Sequence, residues 1–227
     1  MPDVQKLPVS EIFGPTIQGE GSHAGRRAVF LRMAGCDSRC PWCDTPYAKT
    51  TKECMPLTPK EIIDEVERLS EGAKLVIITG GNPAIHDLAY VVARLKSKGY
   101  EIHVETQGTI VAFWFDRCNL VTVCPKINNS QDIVMVHNNV NKIRQMCPTQ
   151  LKYVVFTEAD YLTAQELARN WPTLPFVFQP GWDAQTNSYP YGLKELAERM
   201  MRDKFLPDTV RFMPQIHRLL WGGVRGV

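Results

Sequence analysis

Short apolar runs rich in β-branched residues recur along the chain at 28–33 (AVFLRM), 74–79 (KLVIIT), 101–106 (EIHVET), 119–124 (NLVTVC), 151–156 (LKYVVF), 176–179 (FVFQ) and 209–213 (TVRFM). Runs of this length and composition predict strands. Several are almost uninterrupted, as expected of strands covered on both faces. Between them the spacing of apolar positions becomes helical. Residues 58–70 open with Thr58 and Glu61 as a capping box and place Ile62, Ile63, Val66 and Leu69 on one face. Further helices are predicted over about 86–98, 161–170 and 191–203.

Strands that alternate with helices make βα units and a mainly parallel sheet, so the fold class is α/β. A closed eight-unit barrel takes about 250 residues. The 227 residues here, some of them in loops, predict instead an incomplete, open βα barrel formed as one domain over 1–227. Sites in such sheets lie at the C-terminal ends of the strands. The unusual loops all fall there. A cysteine loop at 34–48 follows AVFLRM, GGNP follows KLVIIT, TQGT follows EIHVE, and CPK closes NLVTVC.

Composition narrows the reading. A net charge of +2 and scattered basic residues give no phosphate track, so no nucleic-acid partner is expected, and the Arg26-Arg27 pair reads as a solvated face. No apolar run approaches the roughly 20 residues that span a bilayer, and the N-terminal stretch lacks the apolar core of a signal peptide. A cytoplasmic protein without membrane contact is expected. Seven cysteines in a reducing compartment point to metal or redox use of those that cluster.

Three do cluster: Cys36, Cys40 and Cys43 fall within eight positions, with Trp42 before the last and Asp44-Thr45 after it. Such a prescribed spacing arises by chance roughly 0.006 times in a sequence of this make-up. Structural zinc takes four ligands, commonly as two pairs. A four-iron cluster takes one thiolate per iron, so a trio leaves one iron with an open position. On spacing alone a zinc site completed by Cys54, His23 or a distant cysteine stays open. Cys54, Cys118, Cys124 and Cys147 follow no ligand spacing and read as small buried hydrophobes.

The C-x3-C-x2-C loop resembles the cluster loop of the radical S-adenosylmethionine (SAM) superfamily, and TGGNP at 79–83 resembles its methionine-binding segment. More finely, IFGPTIQGEGSHAGRRAVFLRMAGCDSRCPWCDT, ITGGNPAIHDL, HVETQGT, VTVCPK, FQPGW and MPQIHRLL, in that order, resemble the 7-carboxy-7-deazaguanine synthase family. The resemblance implies that Cys36, Cys40 and Cys43 bind a [4Fe–4S] cluster whose open iron is chelated by SAM. It implies reductive cleavage of SAM to a 5′-deoxyadenosyl radical that takes hydrogen from C6 of 6-carboxy-5,6,7,8-tetrahydropterin. Ring contraction and loss of ammonia then give 7-carboxy-7-deazaguanine.

By the same resemblance Ile17, Gln18 and Gly19 line the pterin site, Glu20 meets its guanidine-like edge, Arg32 takes the substrate carboxylate, and Thr79 holds substrate from the next strand end. Thr45 matches a position that helps hold Mg²⁺, with substrate and water completing the site. Trp42, Cys43, Asp44, Gly81, Asn82, Cys124, Pro125, Lys126, Gln179, Pro180, Gly181 and Trp182 match positions that contact SAM. An electron donor such as flavodoxin or ferredoxin is implied, as is a homodimer, for which Leu219, Leu220 and Trp221 would suit the interface.

The chain departs from the superfamily at Asn82, where Glu is more frequent, and at Cys124, where Ser is frequent. Cys124 reads as a backbone contact to SAM, a buried thiol or an extra iron ligand. On pattern alone, Glu20 also reads as a turn cap and Arg32 as a solvent-facing strand residue. GGNP reads also as a tight turn, His86 as a helix-terminal or core residue, and His103 as structural. His217 in PQIHRLL reads equally as packing and as substrate contact. Three rivals remain at this level: a glycyl-radical-enzyme activase, a non-catalytic zinc-stabilised binding module, and a cluster-bearing member with an added regulatory role through surface loops such as 126–150.

Overall fold

The computed structural model describes residues 5–127, 132–183 and 185–227. Its frame is one nine-stranded sheet in the order β3-β1-β2-β4-β5-β6-β7-β8-β9 among the described residues. The strands are β1 (Leu7–Ile17), β2 (Arg27–Met33), β3 (Met55–Leu57), β4 (Leu75–Gly80), β5 (Glu101–Thr106), β6 (Leu120–Val123), β7 (Thr149–Val155), β8 (Phe176–Pro180) and β9 (Val210–Phe212). From β2 through β9 every pairing along the sheet is parallel, while β1 lies antiparallel to both β2 and β3. The sheet ends at β3 and β9 without closing, as expected of an incomplete barrel.

All seven predicted strands form. The two unpredicted ones carry breaker residues. β1 contains Pro8, Gly14 and Pro15 and shifts register twice against β2, and β3 is the three-residue MPL. Their prolines sit on the antiparallel side of the sheet, away from the central parallel ladder, where a missing N–H is tolerated.

Among the described residues the α-helices are α1 (Pro59–Ser70), α2 (Ala89–Ser97), α3 (Ile133–Met146), α4 (Glu158–Asn170), α5 (Leu193–Met201) and α6 (Ile216–Trp221). The predicted box at the start of α1 is formed, Glu61 N–H donating to Thr58 Oγ1 and Thr58 N–H to Glu61 Oε2. α4 carries an equivalent box of Thr157 and Asp160. α2 begins later than the pattern implies because Pro83–Ile85 forms a 3-10 turn first. The expectation of a surface loop over 126–150 is corrected: residues 133–146 are helix, capped by Asp132 and buried through Val136, Val140 and Ile143, and 128–131 lie outside the described residues. Its polar HNN segment hides an apolar stripe of i, i+4, i+7 spacing. No helix among the described residues is long and apolar enough to cross a membrane.

Strand side chains alternate between two environments, and this alternation creates the site. Val29, Leu31 and Met33 of β2, Val76 and Ile78 of β4, Ile102 and Val104 of β5, and Leu151 and Val155 of β7 join the helices in one large core. The other face holds only a small apolar patch of Ala28, Phe30, Leu75 and Ile77, with Phe13 against it. Toward the strand ends that face turns polar: Arg32, Thr79, Glu105, Lys152 and Gln179 border one cleft of about 500 Å³.

Candidate active site

The segment after β1 folds across the helix-free face and carries the first cluster of site residues. Gln18 Nε2 donates to Glu105 Oε1 at 3.0 Å, and Thr79 Oγ1 donates to Glu105 Oε2 at 3.1 Å. The amide N–H of Ser22 donates to Gln150 Oε1 of β7 at 3.0 Å. Glu20 is buried and pairs with Lys152, with Gln215 Nε2 donating to its Oε1 at 2.7 Å and Gln179 Nε2 at 3.3 Å. Burial works against its charge, but the Lys152 ammonium, His217 and the donated hydrogen bonds hold the Glu20 carboxyl well below the usual range. Lys152 is held protonated by Glu20 and Glu105 despite its own burial. Glu20 makes no side-chain cap to the turn that follows it, so the capping alternative is not realised.

Arg32 lies in the cleft, not in solvent, with its side chain 17% exposed. Its Nε donates to Glu11 Oε1 at 2.7 Å, an oxygen that also accepts from Tyr47 Oη at 2.8 Å, while Arg225 Nε holds Glu11 Oε2 at 2.7 Å. Glu11 is thus an anionic hub that orients a cationic wall. Burial opposes its charge, and Arg225, Tyr47 and Arg32 together keep its carboxyl below the ordinary value. His217 borders the cleft beside Glu20 and Asp44. Gly19 makes this approach possible: a Cβ there would clash with His217 Nδ1 and meet the His217 backbone nitrogen at 3.0 Å.

The cysteine loop forms the facing wall. Cys36, Cys40 and Cys43 all border the cleft, as do Trp42, Asp44 and Thr45. Lys49 Nζ donates to the Cys40 carbonyl at 2.7 Å, and Thr45 Oγ1 donates to Asp44 Oδ1 at 2.7 Å. Gly81 lets the next loop pack under it, since a Cβ would reach the Ala48 carbonyl oxygen at 2.7 Å. Cys124 borders the cleft and receives a hydrogen bond from Lys126 Nζ at 3.0 Å, and that ammonium lies 4.9 Å from the Trp42 ring centroid. Gln179 and Trp182 also border the cleft. Ile17, Gly19, Pro125, Pro180 and Gly181 are adjacent in the chain to cleft residues without bordering it themselves.

Asn82 stands apart. It is fully buried, its Nδ2 donates to Asp37 Oδ1 at 2.9 Å and Thr109 Oγ1 at 3.0 Å, and its Oδ1 accepts from Thr106 Oγ1 and the Ala84 N–H. The side chain knots the cysteine loop to β4 and β5 and does not border the cleft. His86 is half-buried, its Nε2 2.8 Å from the Ala34 carbonyl oxygen. Cys118 and Cys147 are buried as expected, whereas Cys54 is half-exposed, on the polar loop before β3, and the expectation of burial there is corrected.

Glu11, Glu105, Gln107, Lys152 and Gln215 belong to the site and escape the sequence reading. Lys152 and Glu105 did leave a signal, as charged residues within apolar strand runs at period 2 with Gln150 and His103. Glu11 left none, because β1 is masked by its prolines.

The donor set fits an iron–sulfur cluster better than zinc. In a tetrahedral zinc site with bonds of about 2.3 Å, sulfurs stand about 3.8 Å apart. Here the three thiols border a cleft of about 500 Å³, room for a group larger than one ion, and among the described residues they belong to no three-ligand set within 4.8 Å. Burial and the neighbouring thiols hold Cys40 above its ordinary pKa, with Lys126 opposing, and burial does the same for Cys43. Such thiols ionise when a cationic centre arrives. Among the described residues, buried atoms without partners lie on two cleft residues, Gln179 Oε1 and Arg218 Nε, and on Tyr189 Oη, whose ring packs against Trp182 of the cleft. Buried polar atoms are normally satisfied, so these three point to a polar ligand at this end.

Residues 30–145 match the radical SAM superfamily model. The chain belongs to that superfamily and is an enzyme that uses a [4Fe–4S] cluster and SAM. The 7-carboxy-7-deazaguanine synthase of Bacillus subtilis is 33% identical over 97% of this chain and 98% of its own length, and that of Bacillus cereus is 33% identical over 99% of this chain and 100% of its own. The crystal structure of QueE from Escherichia coli superposes with a TM-score of 0.68 at 25% identity, covering 93% of this chain and 95% of that one. Within the superfamily, this chain belongs to the 7-carboxy-7-deazaguanine synthase family.

Proposed function

We propose that the chain is the lyase that converts 6-carboxy-5,6,7,8-tetrahydropterin into 7-carboxy-7-deazaguanine with loss of ammonia. One observation carries the reading: three thiols, a buried carboxylate–ammonium pair and an oriented guanidinium border the same cleft. When bound, cluster and SAM supply the 5′-deoxyadenosyl radical; the protein holds and aims the substrate. Cys36, Cys40 and Cys43 would hold the cluster. Gly81, the 124–126 segment, Gln179–Trp182 and Trp42–Asp44 would hold SAM, with Asn82 supporting from behind.

With Arg32 Nε committed to Glu11, the two Nη groups are left to take the substrate carboxylate bidentately. Glu105 has accepted one hydrogen bond on each oxygen and can accept a second on each. Glu20 has one acceptor position left of four. Together with Gln179 Oε1 these carboxylates match the N–H groups of an aminopterin, while Gln18, Thr79 and Ile17–Gly19 fix their orientation. His217 closes the pocket over Gly19. Lys152 keeps Glu20 ionised, so the acceptor stays an acceptor.

Thr45, with Asp44 adjoining it, offers oxygens for Mg²⁺, completed by the substrate carboxylate and water. A flavodoxin or ferredoxin would supply the electron. A homodimer would cover Leu219, Leu220 and Trp221, which are 53%, 59% and 38% exposed, and a monomeric mass by light scattering with intact cluster would contradict it.

The reading is tested by anaerobic incubation with SAM, dithionite, Mg²⁺ and the carboxypterin, followed by mass spectrometry. Carboxydeazaguanine in excess of SAM consumed is expected. Deoxyadenosine without product would overturn the substrate, and a colourless zinc protein would overturn the enzyme.

A further inference from the structure

At the opposite end of the sheet from the cleft, three metal-ligating side chains converge. Glu101 and His103 sit at the start of β5, on the same face as Glu105, and His23 lies on the 3-10 turn Gly21–His23. Their ligand atoms all lie within 4.8 Å of one another. His103 Nε2 is 2.8 Å from Glu101 Oε1, His23 Nε2 is 4.0 Å from the same oxygen, and the two rings meet edge to face at 4.4 Å. Glu105 lies four positions along the strand from Glu101, about 13 Å, and two from His103, about 7 Å; none of the three borders the cleft, so this cluster is distinct from it.

We propose that His23, Glu101 and His103 form a second metal site, for a borderline divalent cation of the zinc class. The donor set of two imidazoles and a carboxylate suits such ions, with water in the fourth position. His23 can adapt to it: its Nδ1 is 3.0 Å from Ser22 Oγ, a hydroxyl able to accept from Nδ1–H in the tautomer that leaves the Nε2 lone pair for a metal. His103 is buried and held neutral at physiological pH by that burial. On metal binding its Nε2–H···Oε1 hydrogen bond is replaced by a metal bond, and the ring proton moves to Nδ1.

Ligands of tetrahedral zinc stand about 3.3 Å apart, so closure asks for a shift of about an ångström. His23, a third exposed and on a three-residue turn, is the group able to make it.

Arg26 is the competitor. Its Nη1 and Nη2 donate to the two oxygens of Glu101 at 2.9 and 2.7 Å. A bound cation takes over that charge balance, and Arg26, 42% exposed, swings into solvent. Occupancy would tie the turn that follows Gln18 and Glu20 to β5, fastening the floor beneath the substrate wall.

The test uses the cluster-loaded protein, whose three cluster thiols are already occupied. Equilibrium dialysis against buffered micromolar Zn²⁺, with metal analysis, is expected to give one zinc per chain with iron unchanged. His23→Ala should weaken uptake at least tenfold, and Arg26→Gln should tighten it about tenfold. His103→Gln should abolish it, and His23→Ala serves if that buried change unfolds the protein. Absence of uptake, uptake that His23→Ala leaves unchanged, or zinc gained only as iron is lost would each overturn the proposal.

Discussion

The residue with the sharpest assignment is Arg32. Its guanidinium is fixed by Glu11 at one nitrogen, so truncation removes a preoriented charge without disturbing the cysteine loop. Arg32→Ala should raise the KM for the carboxypterin by about 10- to 100-fold, the loss of one charge-assisted pair of roughly 1.5–3 kcal/mol. Deoxyadenosine formation driven by dithionite should persist; an unchanged KM would contradict the role. Glu20 is coupled differently. Glu20→Gln leaves the Lys152 ammonium buried without its hydrogen-bonded carboxylate partner, and should cost about 3 kcal/mol in a denaturant melt. Adding Lys152→Met should restore part of it, and a single variant as stable as wild type would show that the pair is not buried in solution.

At the scale of elements, the cysteine loop and the GGNP loop act as one piece. Asn82 and Gln107 both bind Asp37, and Gly81 lies against the Gly35 and Ala48 backbones. Replacing Cys36, Cys40 or Cys43 with Ala should remove iron and SAM cleavage together, whereas Gly81→Ala should impair both by displacing the loop; iron content and deoxyadenosine yield check the two. This knot is where sequence and structure part. GGNP was legible as a motif, but the direction of the Asn82 side chain was not, because its partners Asp37, Thr106 and Thr109 come from the cysteine loop, the end of β5 and the loop after it. The seven parallel strands were legible, since each is an apolar run between turn residues. β1, broken by Pro8, Gly14 and Pro15, was not, and with it went Glu11, the hub that orients Arg32. α3 was missed because its polar residues dominate the run and its apolar stripe is only three residues deep.

At the scale of the molecule, the sheet separates a packed helical side from a polar face that carries the chemistry at one end and a charged plug at the other. The plug should show in acid stability. His103, pushed down to about 4 chiefly by burial, resists protonation more than in the unfolded chain, where 6.5 is ordinary. Its contribution is therefore complete above about pH 6.5 and is lost as pH falls through 4. Glu101, held down to about 2 by Arg26 and His103, adds a second loss below its ordinary 4.5. Melting temperatures should fall in these two steps, and His103→Gln should flatten the upper one; an identical profile in the variant would remove His103 as the cause.

The central claim is that the polar end of this face presents C6 of the carboxypterin to a radical generated at the cysteine loop. Anaerobic turnover of substrate deuterated at C6 tests it most directly, with 5′-deoxyadenosine and carboxydeazaguanine read by mass spectrometry. Deuterium in the deoxyadenosine methyl group, formed alongside product, is the predicted result. Product with unlabelled deoxyadenosine and unlabelled recovered SAM would contradict the account.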